Sequence, residues 1–216
     1  MAVTGLVMVG YLLLHMYGNL KIFSGKEKFD HYAHSLRTFG EPVLPYEGLL
    51  WIIRVVLVVS VTIHIIATVT LWRRARAATG RTDGRRYQST KAPRGVQRSY
   101  ASFTMRWGGV IIVLFLIYHL LHLTWNSVAP GGASDSPFER LVNGFTIWWV
   151  LLSYVVAMAA VGFHLRHGFW AALADLGANT SPGRRRVLSA TATVLASLIV
   201  FGFLLPAFAI FFGWVS

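Results

Sequence analysis

Six of the eight histidines in this chain lie within or at the edges of long apolar runs: His15, His64, His119, His122, His164 and His167. The other two, His31 and His34, fall in a polar segment between runs. An imidazole inside an apolar run is costly, and it is kept for metal ligation, for proton transfer or for a hydrogen bond to a neighbouring helix. Carboxylates do not compete for these roles, because all eight Asp and Glu residues fall in loops or at the ends of runs. The absence of cysteine excludes disulfides, thiolate metal sites, cysteine-ligated iron–sulfur clusters and covalently attached c-type haem.

The elements that carry these histidines are predicted to span a membrane. The chain is 55% hydrophobic and only 13% charged, where a soluble domain carries about a quarter charged residues. Crossing about 30 Å of hydrocarbon takes about 20 helical residues. Five runs are long enough: roughly Val3–Ile22, Leu49–Trp72, Trp107–Ser127, Val142–Trp170 and Val187–Trp214. None shows period-2 alternation, so each is read as a helix. The expected fold is therefore an all-α integral membrane protein, one domain over residues 1–216 built as a five-helix bundle. A short interfacial helix is expected over Glu27–Gly40, where Phe29, Tyr32, Leu36 and Phe39 share one face.

Charge sets the expected orientation. Ten of the twenty Lys and Arg residues fall between Arg73 and Arg106, beside one acid, Asp83. A basic block between apolar runs is a positive-inside signal and puts that loop in the cytoplasm. The cations are not interleaved with stacking aromatics, so the net charge of +12 is not read as a nucleic-acid surface. Phe23–Gly48 and Val128–Leu141 then lie outside, and the connection Ala171–Arg186, ending in three arginines, lies inside. The N-terminus is expected in the cytoplasm, with a short lead ahead of Met1, and the C-terminus outside.

Depth sorts the histidines. At 1.5 Å of rise per residue, His15 lies about 10 Å and His119 about 12 Å below the outer end of their helices. His64 and His164 lie about 9–12 Å from the cytoplasmic ends of theirs. Four imidazoles on four helices at two depths are what two stacked b-type haems require, each iron held by one histidine from each of two helices. Gly10 and Gly18 flank His15, and Gly162 and Gly168 flank His164, leaving room for a flat macrocycle. His122 stands three residues after His119 on the same face and could replace it. His122, Arg166 and His167 are further expected near the haems, the latter two and Lys21 as partners of propionates, with Arg54 snorkelling outward. The last helix has no histidine and is expected to be a packing wall.

Several stretches in order resemble the cytochrome b membrane subunit of succinate dehydrogenase and fumarate reductase, in its bacterial (actinobacterial-looking) diheme five-helix type. They are His15-Met-Tyr-Gly-Asn-Leu, Gly25-Lys-Glu-Lys-Phe-Asp-His-Tyr-Ala, His64 before Trp72-Arg-Arg-Ala-Arg, Tyr118-His119-Leu-Leu-His122 and Gly162-Phe-His164-Leu-Arg-His167-Gly-Phe-Trp170. The resemblance implies axial ligands at His15 and His119 for a distal haem and at His64 and His164 for a proximal one, favouring His119 over His122. It further implies docking to flavoprotein and iron–sulfur subunits, in which the succinate chemistry resides. Electrons would pass through the two haems to a membrane quinone, with menaquinone as the carrier, in the bacterial cytoplasmic membrane. The basic segment would help to form the docking surface.

Quinone reduction needs protons as well as electrons. His31, His34, Arg37, Tyr46, Trp125 and Asn126 are the expected lining of an outer quinone site, and a site on the cytoplasmic side is the alternative. Some members of the family it resembles use a glutamate inside the membrane; here the position two before His164 is Gly162, so the resemblance does not extend to an internal carboxylate proton route. Two other functions fit less of the pattern: the cytochrome b of another respiratory dehydrogenase or reductase, and a haem-free anchor or transporter.

Overall fold

A computed structural model describes residues 1–78 and 96–216. The described chain is all helical, and five helices are long and apolar enough to cross a membrane. The first is α1 (Ala2–Leu20), extended by a 3-10 turn over Lys21–Ser24. Gly25, at φ +90°, then reverses the chain in a conformation that a side chain would oppose. Here the short helix α2 (Lys26–Thr38) begins. Next come α3 (Gly48–Ala78) and α4 (Val96–His119), the latter ending in a π-helical turn over Leu120–Thr124. The remaining helices are α5 (Pro137–Phe145), α6 (Trp148–Asp175) and α7 (Pro182–Phe211).

α6 is the hub. It packs along α7, α4 and α1, and α1 packs in turn on α7 and α3. One apolar cluster, with Val9, Met16, Leu165, Ala196 and Ile199 buried, joins α1, α6 and α7. Small residues let these backbones close up: a Cβ on Gly202 would overlap Met16, and one on Gly162 would meet Val200 at 2.8 Å. A second cluster lies where α2 and α5 cover one end of the bundle, with Ile22, Phe29, Phe138, Phe145, Val150 and Tyr154 at its centre. This is the capped end. α3 packs on α1 and α2, and most of its length faces outward.

Three sequence expectations need correction. The run from Val142 to Trp170 is two elements, because Ile147 is extended and separates α5 from α6. The buried residues Phe138, Leu141 and Phe145 recur at helical spacing, so α5 is a separate amphipathic piece. The connection between α6 and α7 is only residues 176–181. Arg184–Arg186 fall in the first turns of α7, which Ser181 caps by accepting from Arg184 N at 3.3 Å. Phe39, expected on the buried face of the interfacial helix, follows its last turn and is exposed, whereas Phe29 is buried against Phe138. Half of the basic segment Arg73–Arg106, residues 79–95, lies outside the described residues.

The cap is joined by polar contacts. Asp30 of α2 accepts from Ser136 Oγ at 2.6 Å and from Phe138 N at 3.1 Å, so it closes the first turn of α5 from another element. Lys26 pairs with Glu139, which also accepts from Ser134 Oγ. Arg140 reaches back to the carbonyls of Leu123, Thr124 and Ser134, pinning the end of the π turn.

Candidate functional site

The helical register brings four histidines into two pairs. His15 of α1 and His119 of α4 have ring centres 5.9 Å apart with planes at 82°. His64 of α3 and His164 of α6 have centres 6.4 Å apart with planes at 56°. In neither pair are the two helices packed along each other. α1 lies on α3, α6 and α7, and α4 lies on α6, so each pair reaches across the bundle rather than along a seam.

Each pair has an orienting hydroxyl from a third position. Tyr154 of α6 sits 3.3 Å from His119 Nδ1 and 3.0 Å from His122 Nδ1. Thr4 of α1 sits 3.2 Å from His64 Nδ1, and its own hydroxyl donates to the Met1 carbonyl at 2.9 Å. With His64 Nδ1–H donating to Thr4, and His119 Nδ1–H donating to a Tyr154 hydroxyl that donates on to His122, both rings keep Nε2 for another partner. This tautomer assignment follows from the network.

Two long helices therefore serve both levels. α1 carries His15 in the capped tier and, eleven residues earlier and within about 20° of the same face, Thr4 in the other. α6 carries His164 in the second tier and Tyr154, ten residues earlier, in the capped tier. At 1.5 Å per residue the tiers are about 15 Å apart.

The pairs fit a hexacoordinate iron whose equatorial ligands come from a macrocycle. Metal–imidazole bonds are about 2.0–2.1 Å, so two rings on one ion have centres about 6.3 Å apart. Among the described residues His164 Nδ1 is buried with no hydrogen-bond partner, as are His122 Nε2 and the Tyr118 hydroxyl, each a deficit of about 1–3 kcal/mol that a bond from outside would relieve. Among the described residues no three His, Cys, Asp or Glu side chains converge on one point, so a metal held by protein alone is not built here.

The other expected site residues separate. His122 is 1% exposed, in the π turn, and its ring lies against Gly144 of α5, where a Cβ would overlap Nε2. It faces the cap and Tyr154, while His119 faces His15. Lys21 lies over the rings of Tyr17 and Tyr32, 4.8 and 5.3 Å from their centres. Arg54 pairs with Glu47 at 3.1 Å and covers Trp51. Arg166, two residues beyond His164, is about 200° around α6 from it. Its Nε donates to Thr193 of α7 at 3.0 Å, which leaves the expected propionate role without geometric support. His167 lines the same α6–α7 cleft.

The expected quinone lining falls into two groups that no hydrogen bond or ring contact joins among the described residues. His31, His34, Arg37 and Tyr46 belong to α2 and the turn after it, and Arg37 is committed to Glu47 and to the Ala33 carbonyl. Trp125 and Asn126 follow the π turn, where Asn126 donates to the Ser134 carbonyl. His31, His34 and Trp125 are exposed and keep their polar groups uncommitted to the described chain.

Sequence reasoning missed Thr4, Tyr154 and Asp30. The first two carried a signal: Thr4 is one three-turn repeat before His15, and Tyr154 lies at the depth of His119. Asp30 carried none, because its partner is 106 residues away.

A family model described as succinate dehydrogenase/fumarate reductase transmembrane subunit matches residues 81–204. The match takes in His119, His122 and His164, and stops short of His15 and His64. No curated protein and no solved structure gives a significant match.

Proposed function

The chain belongs to the succinate dehydrogenase/fumarate reductase transmembrane subunit family, and from that premise we propose that it is a two-haem cytochrome b anchor. In this reading it carries electrons between an iron–sulfur subunit and menaquinone. The observation that carries the proposal is the pair of cross-bundle imidazole contacts at two levels.

His15 and His119 would hold the haem at the capped end, and His64 and His164 the other. When bound, haem b supplies one-electron transfer between ferric and ferrous iron. The chain's own groups do the rest. Thr4 and Tyr154 fix the tautomers of His64 and His119, so that one ring nitrogen of each is presented inward and the other is hydrogen-bonded. The α1–α6–α7 core packs two of the four ligand-bearing helices against each other. The cap of α2 and α5 closes the outer tier from above.

By the positive-inside rule the basic segment would lie in the bacterial cytoplasm, with the capped end outside. The flavoprotein and iron–sulfur subunits would dock on the cytoplasmic side, nearest His64 and His164. His31, His34 and Trp125, whose polar groups are uncommitted among the described residues, would meet the quinone and its protons at the capped end.

A pyridine haemochrome assay on the purified complex tests the reading. Two haems b per chain are expected, and none would refute it. His119→Ala and His64→Ala should each remove one haem, while His122→Ala keeps both. Loss of a haem in His122→Ala, with both retained in His119→Ala, would exchange the ligand assignment. Co-purification of a subunit with covalent flavin is expected; a molybdenum or nickel subunit in its place would overturn the choice of partner.

A further inference from the structure

We propose that the cleft between α6 and α7 binds the phosphate of an anionic phospholipid. It is lined by Arg166, His167 and Trp170 from α6 and by Ser189 and Ala192 from α7. The proposal rests on the membrane-spanning reading of these helices and is independent of haem ligation.

The cleft is polar where the surroundings are not. Arg166 is held by one nitrogen: its Nε donates to Thr193 Oγ1 at 3.0 Å, and Thr193 donates to the Ser189 carbonyl at 2.9 Å. That fixes the guanidinium plane and leaves its two amino groups for a ligand, since Arg166 is in none of the ion pairs among the described residues. Arg186 is exposed and precedes Ser189 by one turn of α7. Among the described residues no carboxylate pairs with Arg166: α7 has no acid, and the nearest on α6, Asp175, is nine residues, or about 13 Å, from it. A fixed guanidinium with a hydroxyl and an indole side chain in the same cleft is a donor set for phosphate oxygens.

Depth selects the source of that phosphate. α6 has 28 residues, about 42 Å of helix, so about 6 Å projects beyond the hydrocarbon at each end. Trp170 and Arg166 then lie about 2–8 Å below the boundary, where a cation snorkels toward headgroups. One turn deeper on the same side, Phe163 is half-exposed and offers an acyl chain its contact. Basic clefts between membrane helices on the cytoplasmic side suit anionic headgroups, and a free phosphate would gain nothing from Phe163.

The test is native mass spectrometry of the assembled complex, delipidated in detergent and supplied with phosphatidylglycerol or phosphatidylcholine. Wild type should retain one phosphatidylglycerol per chain and no phosphatidylcholine. Arg166→Gln should weaken retention about fivefold or more, and Arg166→Lys should restore most of it. Ser189→Ala removes a single hydroxyl and should weaken retention by a smaller factor, which keeps the test valid if Arg166→Gln assembles poorly. Arg184→Gln, whose arginine is turned to Thr180, should bind as wild type. Equal retention in wild type, Arg166→Gln and Ser189→Ala would overturn the proposal, as would equal retention of phosphatidylcholine. Displacement of the lipid by millimolar inorganic phosphate would also overturn it, in favour of a free-anion site.

Discussion

Tyr154 makes the most consequential hydrogen bonds of any residue in the bundle. Its hydroxyl lies between two imidazoles, and its ring is wedged edge-on between Phe115 and Phe145, at 4.9 and 4.8 Å. Tyr154→Phe should leave that packing intact and deprive His119 Nδ1 and His122 Nδ1 of their partner. Leaving buried donors or acceptors unmade costs about 1–3 kcal/mol, to be read from thermal unfolding of the complex. In the two-haem reading both haems should remain, and the midpoint potential of one should move by about 40 mV, the equivalent of about 1 kcal/mol for one electron. Unchanged potentials would refute the orienting role. The histidines themselves were legible because imidazole in an apolar run has few excuses. Their choice of partner was not legible, since His119 and His122 sit on one helical face and only the position of Gly144 turns the second toward the cap.

Among the elements, α2 and α5 depend on each other. Asp30 caps α5 from outside, so Asp30→Ala should cost about 1 kcal/mol and raise amide exchange in residues 26–38 and 137–145 together. Exchange rising in α2 alone would show that the cap is not shared. The Lys26–Glu139 pair adds a pH dependence. Hydrogen bonds from Lys26 and Ser134 hold the Glu139 carboxyl below the usual carboxylate range, and the bond to Glu139 holds Lys26 above the usual amine range. A lowered acid contributes above its unfolded pKa and loses that contribution as pH falls through the folded one. A raised base contributes below its unfolded pKa and loses it as pH rises through the folded one. The clamp should therefore be indifferent to pH across the neutral range and loosen only in acid below the carboxylate range or in strong alkali. Both groups are at the surface, so the effect should be small and salt-sensitive in amide exchange. The five spans were legible from length and hydropathy. The break at Ile147 was hidden because α5 and α6 are both apolar, and hydropathy does not report a change of direction.

For the whole molecule, the two imidazole pairs connect helices that are otherwise weakly joined. α6 and α7 bury a shared face, whereas α3, among the described residues, rests chiefly on α1 and α2. A ligand that bridges α3 to α6 should therefore stabilise α3 most. Produced in a haem-deficient host, the chain should show α3 exchanging and cleaved first, with α6 and α7 still protected. Uniform loss of protection would contradict this hierarchy. By itself the sequence determined that the chain is a helical membrane protein, which runs cross, and that four histidines lie at two depths. Hydropathy and helical rise are local properties that a linear chain carries. Which histidine meets which, which hydroxyl orients it, and that Arg166 turns to α7 rather than to the His64 side were decided only in three dimensions. Those outcomes depend on the rotation of each helix about its axis, which is set by contacts such as Gly202 on Met16 and Gly144 on His122, between residues far apart in the chain.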